Sequence, residues 1–374
     1  MSQMSTQVVG PEAAGIDPAR LDVLLRRVRL EVQHGPLSSV QVAVARHGKL
    51  AAFETVGDAR PDLRYILQSV GRGVVAGIVW KLIGEGVLDT SERVADIIPE
   101  FGTNGKEVVT VHQVLTHTAG FPFAPLGYPK MADRSQRLEA FGRWKLSYEP
   151  GAQFQYHLTS AAWIIGELVE RRTGLDFSEY LRQEVAGPLG LTLETRVPVE
   201  RQQATIAWPV AIDRTSDDQE VDPWGPWYLA NPDILSAGEP SHSMVGTAAD
   251  MALFYQAMFT SGLWTPEAVA EGSRIHNSAA AAGDKLYGGS DIITHMALFC
   301  TVTGDSPGDW MPRTASQATF GSGGAPCQMG FMDPESGVSF AFLTNGYPMA
   351  GYDYTTAGRN RLITIGDLAG DLIA

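Results

Sequence analysis

Residues 64–89 read RYILQSVGRGVVAGIVWKLIGEGVLD. One polar residue, Ser69, stands at the head of an apolar run with helical spacing, and Arg72 follows it by one turn. The spacing predicts a core helix that opens near Ser69. A side chain on a first helical turn lies among unpaired backbone N–H groups and at the positive end of the helix dipole, where negative charge is favoured. A residue at i+3 shares its face, so Ser69 and Arg72 are expected to point together. Two readings follow from these residues alone. Ser69 is either a nucleophile beside a cation, or a capping serine with a solvated arginine after it.

Outward from this stretch, Asp17 and Pro18 signal a helix start, and Leu21, Leu24, Leu25, Val28 and Val32 form its apolar stripe. VQVAVARHGKLAAFETVG, residues 40–57, alternates on both sides of RHGK and predicts a hairpin. From Ser69 to about residue 230 the pattern is helical, broken by Gly and Pro, and includes a helix over 161–172 that ends at Gly174. Strand signals return in DIITHMALFCTVTG (291–304) and GVSFAFLTNG (337–346), and RLITIGDLAGDLIA closes the chain as a helix. Strands from both ends around a helical middle imply an antiparallel sheet flanked by helices, an α+β arrangement with an inserted helical domain. The expected division is a sheet domain of residues 1–60 and 235–374 and a helical domain of residues 61–234, with the site at their junction.

Composition narrows the function. A net charge of -14 with no basic run disfavours nucleic acid and anionic membranes as partners. No stretch approaches the roughly 18 apolar residues of a membrane helix, and MSQMSTQVVGPEAAGIDP has no basic segment leading into an apolar one, so a cytoplasmic protein is expected. Cys300 and Cys327 have no zinc-type spacing, and His112 and His117 lack an acidic third ligand, so neither a metal nor a cofactor is implied.

PEAAGIDPARLDVLL, VAVARHGKL, GEGVLDTSERVADIIPEF, VTVHQVLTHTAGF, EPGAQFQYHLTSAAWIIGELVERRTG, VAGPLGLTLET, GTAADMALFYQAM and FGSGGAPCQMGFMDPESG occur in this order. Together they resemble the class C β-lactamase and penicillin-binding-protein superfamily of serine hydrolases, including its esterase branch. The resemblance covers nearly the whole chain and implies a β-lactamase/transpeptidase-like sandwich. It also implies a small-molecule substrate and an acyl-enzyme chemistry that needs no cofactor.

Carried over by position, the resemblance makes Ser69 the nucleophile, Tyr156 the tyrosine of the second motif, and Ser322, Gly323 and Gly324 the third motif, with the Ser69 and Ala325 amides as oxyanion hole. The family pattern has lysine where this chain has Arg72, asparagine or serine where it has Leu158, and usually histidine or lysine where it has Ser322. An arginine guanidinium stays charged, so Arg72 is excluded as a base. The expectation is that its charge favours the phenolate of Tyr156, which then takes the proton. His157, beside Tyr156, is placed with Leu158 and the third motif around the substrate. Ser322 offers no cation for a substrate carboxylate, so an ester, lactone or amide with apolar parts fits better than a penicillin. FPFAPLGYPK and DPWGPWYLANP are candidate pocket walls. An acyltransferase on the same serine, or a divergent member that no longer hydrolyses, are the alternatives.

Overall fold

The computed structural model describes residues 3–213, 230–280, 293–305, 310–325, 327–348 and 357–373. Helix α1 (Pro18–Gln33) opens on Asp17, whose carboxylate accepts the Ala19 and Arg20 amides. Strands β1 (Ser39–Arg46) and β2 (Lys49–Gly57) pair antiparallel. His47 and Gly48, with φ of 51° and 76°, supply the two left-handed positions of the tight turn between them.

Six later strands complete the main sheet: β3 (Asn277–Ala280), β4 (Ile293–Met296), β5 (Thr301–Val302), β6 (Phe320–Gly324), β7 (Gln328–Met332) and β8 (Val338–Thr344). Its order is β2-β1-β8-β7-β6-β5-β4-β3, and every neighbouring pair is antiparallel. Strand alternation splits the core in two. Val40, Val42 and Val44 of β1 and Phe340 and Phe342 of β8 pack with α1 and the last helix, α5 (Ala357–Gly370). Ala43, Ala45, Ala341 and Leu343 face the other way, toward the helical core. There α4 (Ala248–Thr260) crosses the sheet so closely that Ser339 donates its hydroxyl hydrogen to the Ala252 carbonyl, at 2.8 Å.

Between β2 and β3 the main helices are α2 (Arg72–Gly84), α3 (Ser160–Thr173) and α4. Helix α2 is buried on all sides from Arg72 to Leu82, as its continuous apolar run requires. α3 ends at Gly174 in the left-handed conformation, and α4 opens with a reciprocal Thr247–Asp250 capping box. Among the described residues no helix is long and apolar enough to cross a membrane. One boundary differs from the sequence expectation. Residues Gln68–Gly71 form a separate tight 3-10 turn, and α2 begins only at Arg72.

That turn is placed by a short ladder. Tyr65 and Ile66 pair antiparallel with Gly246 and Val245, and the Leu67 amide donates to the Met244 carbonyl at 2.9 Å. Continuing this register sets Ser69 opposite His242. The two segments stay close because residue 71 is glycine: a Cβ there would lie 2.2 Å from the Ser241 carbonyl oxygen. With φ of -57°, Gly71 is needed for space and not for backbone freedom. Gly71→Ala is therefore expected to cost about 1–3 kcal/mol, read as a lower urea midpoint; an unchanged midpoint would show that the contact is not tight.

Candidate active site

Ser69 lies in the turn that follows Gln68, whose φ of 49° is unusual for a residue with a side chain. Such a conformation costs on the order of 1–3 kcal/mol and persists only where its surroundings impose it. The Ser69 side chain caps no helix. Its Oγ accepts a hydrogen bond from the Tyr156 hydroxyl at 3.0 Å and lies 2.9 Å from His242 Nε2. Because Tyr156 donates, the serine's own hydrogen is directed at the histidine.

His242 is the inner member of a buried chain of polar groups. Its Nδ1 lies 2.8 Å from Ser241 Oγ and 3.4 Å from Glu239 Oε2. Ser241 Oγ donates to Glu239 Oε1 at 3.0 Å, the Ser241 amide donates to Oε2 at 2.9 Å, and the His242 amide donates to the same oxygen. Glu239, Ser241 and His242 are all buried. Burial lowers the pKa of His242 against the pull of the carboxylate, so the ring is neutral near pH 7. Burial alone would raise Glu239, but the neighbouring His242 and its hydrogen bonds hold it below the usual carboxylate value.

Arg72 points toward the same place by a different route. Its Nη2 donates to the backbone carbonyls of His157, at 3.0 Å, and of Leu158. Its guanidinium stacks 4.2 Å from the centre of the Tyr156 ring and 4.7 Å from that of Phe299. Nη1 lies 3.3 Å from His117 Nε2. The arginine thus clamps the backbone that carries Tyr156. Its charge pulls the Tyr156 pKa down, but burial is the larger effect and the phenol stays above its ordinary value. The expected shift toward phenolate is reversed by desolvation.

The remaining expected residues fall into two groups. Ser322 is buried, and its hydroxyl donates to the Ser69 carbonyl at 2.7 Å, so it fixes the turn's backbone. Gly324 brings β6 against the same turn, since a Cβ there would lie 2.8 Å from the Leu67 carbonyl oxygen and 3.0 Å from the Val70 nitrogen. Gly323 lies under the Trp310 ring, and Ala325 follows the strand in a turn. Leu158 is partly exposed. The placement of His157 around the substrate is corrected. The ring is fully buried, its Nε2 accepts the Phe121 amide at 3.1 Å, and its Nδ1 lies 2.7 Å from the Gln155 carbonyl oxygen. Burial drives its pKa down to about 3, leaving a neutral structural ring.

Residues 123–127 of the first expected pocket wall line a surface hollow of about 510 Å³ with Ala140, Trp144 and Ser147. The second wall, 222–232, lies outside the described residues except for 230–232. Cys300 and Cys327 are buried thiols, and burial raises the Cys327 thiol to about 11. Glu239 and His242 are the residues the sequence reading missed. Their signal was slight: an E-x-x-H pattern in a loop just before the α4 capping box.

This fold agrees with known proteins. The family model described as Beta-lactamase matches residues 26–364, and the chain belongs to that family. Esterase EstB of Burkholderia gladioli is 27% identical, over 91% of this chain and 95% of its own. A penicillin-binding protein homolog from Caulobacter crescentus superposes with a TM-score of 0.76 at 22% identity, covering 95% of this chain and 98% of the other. A family VIII carboxylesterase gives a TM-score of 0.76 at 21% identity, covering 95% and 99% of the two chains. The β-lactamase/transpeptidase-like sandwich is thus the fold of this chain.

The clamp geometry yields a test. One lysine ammonium cannot reach two adjacent carbonyls and also lie flat on two rings, so Arg72→Lys is expected to destabilise the protein by about 2 kcal/mol. Denaturant unfolding measures this, and equal stability of the two proteins would rule the clamp out.

Proposed function

We propose that this protein is a serine acyl hydrolase of esterase type, which opens a carboxylic ester through an acyl-enzyme on Ser69. The observation that carries this reading is the use of the Ser69 hydroxyl. It contributes nothing to its own helix and is held between Tyr156 and His242, groups from two distant parts of the chain. The family membership and the esterase similar to this chain along most of its length support the same chemistry.

In this reading Ser69 Oγ attacks the ester carbonyl, the alcohol leaves, and water releases the acid. The amides of Ser69 and Ala325 receive the developing oxyanion, Ala325 being carried to the turn by the tight packing of Gly324. The Tyr156 hydroxyl, already a donor to Oγ, orients the serine. Ser322 is occupied with the Ser69 carbonyl and supplies no cation, which favours a small neutral substrate with apolar parts.

Labelling with a fluorophosphonate followed by peptide mapping tests the reading without knowledge of the substrate. The adduct is expected on Ser69, and Ser69→Ala is expected to abolish both labelling and turnover of short-chain aryl esters while thermal unfolding is unchanged. Aryl-ester turnover retained by Ser69→Ala would remove this serine from the mechanism.

A further inference from the structure

We propose that His242 is the general base for Ser69, with Glu239 and Ser241 as its positioning residues, so that proton transfer in this chain has moved away from position 72 and from the tyrosine. This inference rests on Ser69 being the nucleophile.

The geometry supports each link. A base must lie within hydrogen-bond reach of the proton it removes, and His242 Nε2 is 2.9 Å from Ser69 Oγ. It must also be held in the right tautomer. Nδ1 faces Ser241 Oγ at 2.8 Å, and that hydroxyl gives its own hydrogen to Glu239, so Nδ1 keeps a proton and Nε2 is left open to accept one. Once Nε2 is protonated, the Glu239 carboxylate 3.4 Å from Nδ1 stabilises the imidazolium. The two other groups at the site are unsuited to the task. Arg72 is committed to the carbonyls of residues 157 and 158, and Tyr156 donates to Oγ.

The step balances. The Ser69 O–H bond breaks, its proton passes to Nε2 and its electron pair forms the bond from Oγ to the carbonyl carbon. The carbonyl π pair moves onto the oxygen. On collapse the carbon–oxygen bond to the alcohol breaks, and Nε2 returns the proton to the departing alkoxide. Water repeats the sequence on the acyl-enzyme.

Among the described residues, the titratable and charged groups around His242 besides Glu239 are Arg72 from α2, Tyr156 from the segment before α3, and His117. The resting ring is neutral, and its pKa is lowered from 6.5. The base form is therefore present above the folded pKa, already at mildly acidic pH, and is lost as pH falls through that value. A tyrosine base, raised above 10, would instead need alkaline solution.

The test is the pH dependence of fluorophosphonate inactivation, measured on the full chain with the adduct mapped to Ser69. The expected profile for wild type is flat from neutral pH upward, with an acid limb centred below 6.5. A rate that climbs through pH 9 would overturn the assignment even though Ser69 is labelled, whereas no adduct on Ser69 would overturn the esterase reading itself. His242→Gln, checked for folding by circular dichroism, is expected to inactivate at least about a hundredfold more slowly; a rate within threefold of wild type would overturn the assignment. Glu239→Gln removes the group that raises His242 and is expected to move the acid limb to lower pH, an effect that a purely structural glutamate would not produce. Should either variant fail to fold, the wild-type profile decides.

Discussion

The antiparallel contact between residues 65–67 and 244–246 is the constraint on which the site depends. It is only a few hydrogen bonds long, yet it brings together side chains 173 residues apart, Ser69 and His242. On either side of it the chain is fixed by larger structures. α2 is anchored in the helical core, and α4 lies across the sheet through Ser339 and its neighbours. Both helices belong to one buried core, and the strained turn at Gln68 is held by the packing around it.

The electrostatics of the site follow from how its two buried charges are satisfied. Burying an ion is costly unless hydrogen bonds replace its water. Arg72 takes backbone carbonyls of residues 157 and 158, and Glu239 takes backbone amides of residues 241 and 242. Neither needs the other as a direct partner. Each charge instead orders a segment, Arg72 the one bearing Tyr156 and Glu239 the one bearing His242. The rings between them, His117, His157 and His242, are all kept neutral chiefly by burial. Of the three, His242 is the one whose ring nitrogen meets the Ser69 hydroxyl.

Much of the fold was legible in the sequence because its signals are local. The Asp17 cap, the hairpin about His47 and Gly48, the stop at Gly174 and the Thr247–Asp250 box each depend on a few neighbouring residues. Ser69 and Tyr156 were legible through the resemblance of their motifs, and the structure brings them to 3.0 Å. His242 and Glu239 were not, because their role comes from a ladder of two-residue strands with no periodicity to read. The role expected of Arg72 changed for a similar reason. Its charge next to Tyr156 was foreseen, but the desolvation that outweighs that charge depends on packing from several elements. His157 shows the same limit, since adjacency to Tyr156 in sequence does not reveal that its ring turns into the core.

The central claim, that His242 stands ready to take the Ser69 proton, has a direct spectroscopic reading. Nitrogen-15 NMR of histidine-labelled protein at neutral pH, with His242 assigned by substitution, reports which ring nitrogen carries hydrogen. The account requires a neutral ring protonated on Nδ1, with Nε2 bare toward Ser69. A ring protonated on Nε2, or on both nitrogens, would contradict it.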